Sequence, residues 1–111
     1  MTPKRTRGLT DLVLGPIPEA MVNCTLELEL EPGLVILTRG AQSHALKRHP
    51  TEYPLCLPHI AGIVSHPLYL GDDLQNEGKI EFIGHELKLD VKDKSKLLKR
   101  YSLVCFHFLR I

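Results

Sequence analysis

The 111-residue sequence contains no tryptophan, and aromatic residues make up only 5% of it. It also lacks an apolar run near the roughly 20 residues that a membrane-spanning helix needs. Fourteen lysines and arginines against thirteen acidic residues leave a net charge of +1, so the chain has no global positive field. We therefore expect no membrane association, and we expect any polyanion to be bound by a local cationic patch.

The three cysteines, Cys24, Cys56 and Cys105, lie far apart and lack CxxC spacing. An odd number in apolar surroundings favours reduced core thiols over disulfides or a zinc site. The first eight residues are polar and basic, and no apolar segment of secretory type follows them. We predict a cytoplasmic protein with a flexible basic tail over residues 1–8, a single domain over residues 9–111, and no cofactor.

The N-terminal half predicts a β-hairpin. Residues 25–30 alternate strictly between leucine and polar side chains, which is typical of a half-buried strand. Turn residues at 31–33 connect this segment to an apolar strand over 34–38. Glycine and proline break residues 9–21 too often for a long helix, so we expect only a single turn, around residues 18–21.

The remaining elements predict an α+β domain. A short helix over 39–49 ends before Pro50, and a second short helix starts at Pro58 and stops before Pro67. Residues 70–73 have loop composition. Alternating or apolar runs then predict three strands, the last of them central in the sheet, at residues 79–83, 87–91 and 101–111. The expected architecture is short helices packed on an antiparallel β-sheet.

The densest group of titratable side chains lies just before Pro50. His49 falls at the predicted end of its helix, where the partial negative charge of the helix dipole attracts a protonated ring and favours a general acid. Arg48 offers a planar fork that suits phosphate, and Lys47 a point charge. This combination fits cleavage of a phosphodiester without a metal. The alternative interpretation is a solvated helix end.

Other titratable residues leave alternatives open. His44 lies five residues before His49, about 140° around a helix, so the pair does not form the i, i+4 zinc motif, and we expect no metal. His44 is either a second catalytic group or a ring packed near the helix start. His107 lies within an apolar strand, and it is either a hydrogen-bonded core histidine or a proton-transfer group. Glu81 and Glu86 are equal candidates for a general base.

Three segments carry a resemblance to a known family: residues 34–38, residues 44–53 with the sequence Arg-His-Pro, and residues 57–71 with the sequence His-Pro-Leu-Tyr-Leu-Gly. Over residues 34–108 the chain resembles the phage-encoded nuclease-like domains of the barnase–EndoU–colicin–RelE group (PBECR domains). The resemblance implies a barnase/RelE-like fold. It also implies a metal-independent endoribonuclease of phage, prophage or toxin type that cleaves RNA by 2′-hydroxyl transesterification.

The resemblance also implies site residues and partners. His49 matches the histidine of the family's helix, and His44 matches an earlier position. From the residue patterns and the resemblance together, the candidate residues are His49, His44 and His107 for catalysis, with Lys47, Arg48, Arg110 and Ser102 for substrate binding. Implied partners are RNA (tRNA and ribosome-associated RNA among them), a protein inhibitor or a phage structural protein. Leu68 replaces the aspartate expected in the loop, so a catalytically inactive interaction domain with the same fold is the alternative.

Overall fold

The computed structural model describes residues 8–73, 79–85, 87–95 and 100–108. Within these ranges the helices are α1 (Glu19–Leu26), α2 (Arg39–Arg48) and α3 (Glu52–Ser65). The strands are β1 (Leu12–Pro16), β2 (Leu34–Leu37), β3 (Tyr69–Asp73), β4 (Lys79–Gly84), β5 (Leu87–Ser95) and β6 (Arg100–Phe108). They form one sheet in the order β1-β2-β6-β5-β4-β3. Neighbouring strands are antiparallel except β2 and β6, which are parallel.

The predicted α+β class is confirmed, with the difference that the sheet is mixed because of the single parallel pair. The predicted central position of the last strand is also correct, since β6 lies between β2 and β5. None of the described helices is long and apolar enough to cross a bilayer.

One face of the sheet forms the core with the helices. Phe82 of β4 and Leu89 of β5 are fully buried on this face. On the same face Tyr53 of α3 packs edge-on against Phe106 of β6, with ring centroids 5.3 Å apart. Burying an apolar side chain of this size contributes about 1.5–3 kcal/mol. The helices therefore pack on one side of the sheet, and the side chains that alternate with these core residues point to the opposite side.

The hairpin predicted for the N-terminal half is wrong. Residues 25–26 end α1, and Glu27 follows in the left-handed conformation with φ 55°. The Asn23 side chain then bonds both the amide and the carbonyl of Leu30, at 2.8 and 3.0 Å, which fixes the segment without strand pairing. Alternating leucines are therefore compatible with a half-buried irregular segment as well as with a strand.

The strand that pairs with β2 is instead β1, in a stretch predicted to be irregular. Gly15, with φ 125°, lies at a register shift between β1 and β2. A glycine at this conformation lets an edge strand bulge, so the glycines and prolines that appeared to break the segment are compatible with pairing.

The second helix and the loop after it also differ from the prediction. α3 begins at Glu52, so Pro58 lies inside one continuous helix and does not start it. An interior proline costs about 3 kcal/mol, and burial of Tyr53, Ile60 and Val64 on one face of α3 offsets it. Residues 70–73, predicted as loop, belong to edge strand β3, which pairs with β4. Most of the predicted basic tail, residues 1–7, lies outside the described residues.

Candidate functional site on the open face of the sheet

The open face of the sheet gathers charged side chains from three adjacent strands. Lys88 and Asp90 of β5 alternate with buried leucines that face the helices, so they point away from the helices. The antiparallel register places Glu81 of β4 beside Asp90 and His107 of β6 beside Lys88. Lys79, two residues before Glu81, shares this face. We call these five residues the Asp90 cluster.

A bulge in β6 decides the orientation of His107. The register pairs Val91 with Leu103 but Asp90 with Cys105, so β6 carries one extra residue between the two pairs. Simple alternation predicts His107 on the face of Leu103. The bulge reverses this, because Phe106 faces the helices and His107 the open side. The predicted face of His107 is therefore wrong.

Asp90 is the centre of the cluster. Its side chain is 0% exposed, and its Oδ2 lies 2.8 Å from His107 Nε2 in a hydrogen bond and 3.2 Å from Lys79 Nζ in an ion pair. Its Oδ1 is buried and has no hydrogen-bond partner among the residues that the structure describes. The His107 side chain is 44% exposed, so one ring nitrogen is bound to the carboxylate while the rest of the ring reaches solvent. This is the arrangement of a fixed proton-transfer group.

Glu81 and Lys88 form a second ion pair beside Asp90. Lys88 Nζ lies 3.2 Å from Glu81 Oε1, and the two side chains are 24% and 27% exposed. Gly71 of β3 lies opposite Glu81, and a Cβ atom at Gly71 would come within 2.8 Å of Glu81 Oε2. The absence of a side chain at Gly71 therefore leaves room for the Glu81 carboxylate in this position.

A separate group of charged residues lies at the end of α2. Thr38 caps the start of this helix by accepting a hydrogen bond from Ala41 N at 3.2 Å. The helix buries one face against the core and leaves the opposite face exposed. We call the charged residues of this end the helix-end cluster, and they are His44, Lys47, Arg48 and His49.

His49 is the half-buried member of the helix-end cluster. Its amide donates to Ala45 O at 2.7 Å and so closes α2. Its ring Nδ1 lies 3.6 Å from Glu52 Oε2, with the two side chains 36% and 52% exposed. His44, Lys47 and Arg48 are exposed.

The sheet separates the two groups of predicted site residues. Phe106 contacts Tyr53 of α3, and His107, the next residue in β6, points to the other side. His107 therefore does not share a surface with His49 and His44. Ser102 lies on the open face opposite Lys92 and is 6% exposed. Arg110 lies outside the described residues.

Sequence reasoning missed three members of the Asp90 cluster: Asp90, Lys79 and Lys88. The available signal was the acidic residue inside the alternating Leu87–Val91 strand, which an open sheet face would otherwise leave exposed. Its burial depends on side chains from neighbouring strands, which no local pattern predicts. Within the described ranges, no three His, Cys, Asp or Glu side chains come together as ligands for a metal ion.

Comparisons of the chain with protein-family models, with curated proteins and with solved structures gave no match. The resemblance to nuclease-like domains of the barnase–EndoU–colicin–RelE group therefore stays a prediction.

Proposed function

We propose that the chain is a metal-independent endoribonuclease-like domain, of phage, prophage or toxin type, that cleaves RNA by 2′-hydroxyl transesterification on the open sheet face. The observation that carries this proposal is the 2.8 Å hydrogen bond between the half-exposed His107 ring and the fully buried Asp90 carboxylate. Imidazole is the side chain best suited to exchange protons near neutral pH, and it does so most efficiently when its orientation is fixed.

The charge of the open face supports a phosphodiester substrate. Four cations and two carboxylates lie on this face among the side chains that the structure describes. They are Lys79, Lys88, Lys92, Arg100, Glu81 and Asp90. A local positive potential attracts polyanions and positions their phosphates even where the whole chain is nearly neutral.

The proposed reaction uses two proton-transfer groups on this face. Glu81 accepts the proton of the ribose 2′-hydroxyl as the 2′-oxygen forms a bond to phosphorus. The protonated form of His107 donates the proton on Nδ1 to the 5′-oxygen as the bond from phosphorus to that oxygen breaks, and the ring becomes neutral. Lys88, beside Glu81, stabilises the charge on the non-bridging oxygens. The products are a 2′,3′-cyclic phosphate and a free 5′-hydroxyl.

A cleavage assay in EDTA tests this proposal. We expect wild-type protein to cut an RNA oligonucleotide to 2′,3′-cyclic phosphate ends and to leave DNA of the same sequence intact, because DNA has no 2′-hydroxyl. His107→Ala should lower the rate by about 100-fold or more. His59→Ala, which removes an exposed histidine of α3, is the matched control and should leave the rate unchanged. Full activity of His107→Ala, or activity lost in EDTA, would contradict the proposal.

A second candidate function is a catalytically inactive interaction domain of a phage or prophage protein. It is favoured by exposed apolar side chains on β1 and β2, at the opposite end of the sheet from the Asp90 cluster. Val13 is 63% exposed and Leu34 44% exposed. Exposed apolar groups of this kind mark protein contacts when they are contiguous. Well-folded protein that cleaves no RNA at any pH near neutrality would favour this function over the first.

A further inference from the structure

We infer that Asp90 is a positioning residue that holds the neutral His107 ring in the tautomer with hydrogen on Nε2, which makes Nδ1 the nitrogen available to a substrate. The catalytic meaning of this inference rests on the proposed ribonuclease function. The tautomer does not, because it follows from the geometry of the Asp90 cluster alone.

The chemistry of the hydrogen bond places the hydrogen of the neutral ring on Nε2. His107 Nε2 lies 2.8 Å from Asp90 Oδ2, a distance typical of a charge-assisted bond. Lys79 Nζ lies 3.2 Å from the same oxygen and compensates the negative charge of an ionised carboxylate. An ionised carboxylate only accepts hydrogen bonds, so the nitrogen that faces it carries the hydrogen.

The Asp90 carboxylate has little freedom to move. Asp90 lies on β5, which is paired with β4 on one side and β6 on the other, and its side chain is 0% exposed. Its contacts with His107 and Lys79 both fall on Oδ2, and its Oδ1 is buried and receives no hydrogen bond from the described part of the chain. A buried acceptor without a partner costs about 1–3 kcal/mol, and such a group calls for an explanation other than stability.

The neighbouring charges give the two carboxylates of the Asp90 cluster different partners. Glu81 of β4, the other described carboxylate on this face beside Asp90, is paired with Lys88 at 3.2 Å. The carboxylate that contacts the His107 ring is therefore Asp90, while Glu81 is held by a different cation. The two acidic groups thus have separate roles, Asp90 in orienting the ring and Glu81 in facing the substrate.

Nuclear magnetic resonance of the full chain labelled with ¹⁵N measures the tautomer directly. In wild-type protein we expect the neutral His107 ring to give the long-range ¹H–¹⁵N pattern of the Nε2–H tautomer alone, with a downfield Nε2 proton that exchanges slowly with water. Asp90→Asn keeps the shape but presents an amide that can donate as well as accept. We expect the downfield proton to be lost and the tautomers to mix.

The same variants are then assayed on the RNA oligonucleotide. We expect Asp90→Asn to lower kcat by about 100-fold or more with KM little changed, since removing the carboxylate that orients a catalytic imidazole lowers kcat by up to about 10⁴-fold. Asp72→Asn, the same change on edge strand β3, is the matched control and should change neither the spectrum nor kcat.

The outcomes separate the two proposals. An Nε2–H tautomer that depends on Asp90, in protein that cleaves no RNA, would support the positioning role and overturn the ribonuclease function. Mixed tautomers or an Nδ1–H tautomer in wild-type His107 would overturn the positioning role, and so would a spectrum and kcat unchanged in folded Asp90→Asn. The wild-type spectrum decides the tautomer even if Asp90→Asn does not fold.

Discussion

The Asp90 cluster and the helix-end cluster both place a histidine beside an acid and several cations, but the acid is held differently in each. The two rings are similarly exposed, 44% for His107 and 36% for His49. The acidic partner of His107 is 0% exposed and 2.8 Å away, whereas Glu52, the acid beside His49, is 52% exposed and 3.6 Å away. The difference therefore lies in the acid and not in the ring.

This comparison shows that a dense run of titratable residues is a poor guide to a fixed site. Lys47, Arg48 and His49 are adjacent in the chain because they end a helix, where exposed charges keep most of their freedom. The Asp90 cluster draws residues from position 79 to position 107 and orders them through the register of three strands. Catalysis needs groups held in place before substrate binds, and the sheet provides this.

The largest expected effect is the loss of cleavage in His107→Ala. Comparing it with a variant of the helix-end cluster tests which cluster carries the reaction. We expect a triple variant, Lys47→Gln with Arg48→Gln and His49→Asn, to cleave RNA within about threefold of wild type, because surface substitutions away from a site change energies by about 0.5 kcal/mol or less. His107→Ala should lose about 100-fold or more under the same conditions. The measurement is the initial rate at saturating RNA, with thermal melting to confirm folding.

The opposite result would move the active site. If the triple variant lost cleavage and His107→Ala kept it, the reaction would belong to the helix-end cluster, with His49 as its acid. The structure would then have to accommodate RNA across the helices and not across the sheet.

Periodic burial is the part of the fold that the sequence predicts well. The strands at 79–83 and 87–91 and the central position of β6 follow from which residues alternate and which are apolar on both sides. The prediction fails where a side chain or a bulge replaces the expected pairing. Asn23 holds residues 27–30 without a strand, and the shift at Gly15 allows β1 to form.

The candidate site, like the fold, could be predicted from the sequence only in part. His107 could be named from the sequence because a histidine is unusual within an apolar strand. Its contact with Asp90 could not, because the β6 bulge sets the face on which His107 lies. The residues of the helix-end cluster were predicted at the end of α2 and lie there, but strand alternation alone gave no indication that the sheet would separate them from His107.

A smaller effect concerns a buried polar atom on each side of the sheet, the Tyr53 hydroxyl on the helix side and Asp90 Oδ1 on the open side. Neither has a hydrogen-bond partner within the described ranges. Burial raises the pKa of Tyr53 to about 12, from an ordinary value of 10.0. The folded state therefore keeps this proton when the unfolded state has lost it. The stability contributed by the neutral hydroxyl is complete below about pH 10 and is lost as pH rises towards about 12.

Tyr53→Phe removes this pH dependence and the unpaired hydroxyl. We expect the variant to be as stable as wild type near neutral pH or more stable, by up to about 1 kcal/mol. Its advantage should grow above about pH 10, by at most about 1.4 kcal/mol per pH unit. Urea unfolding at several pH values measures the difference, with Tyr69→Phe, which changes a 71% exposed tyrosine, as the control. An advantage that shrinks with rising pH would show that the folded state stabilises the ionised Tyr53 hydroxyl and that its pKa is lowered, not raised.

The smallest expected effects come from one glycine on each side of the sheet. Gly62 of α3 has open space where a Cβ atom would lie, so Gly62→Ala should stabilise the protein by about 0.5–1 kcal/mol through helix propensity. Gly71→Ala places a Cβ atom 2.8 Å from Glu81 Oε2, the free end of a flexible side chain that can move aside. Its effect on unfolding should stay within about 0.5 kcal/mol.

The two glycine variants differ in what they do to cleavage. Moving the Glu81 carboxylate by the width of a methyl group misplaces the proposed base, so we expect Gly71→Ala to lower the cleavage rate about tenfold while Gly62→Ala leaves it unchanged. Paired urea unfolding and rate measurements on both variants give stability and activity separately. A Gly71→Ala enzyme with the wild-type rate would remove Glu81 from the proposed mechanism and leave His107 with a different proton-transfer partner, because the carboxylate would then tolerate a displacement that a general base does not.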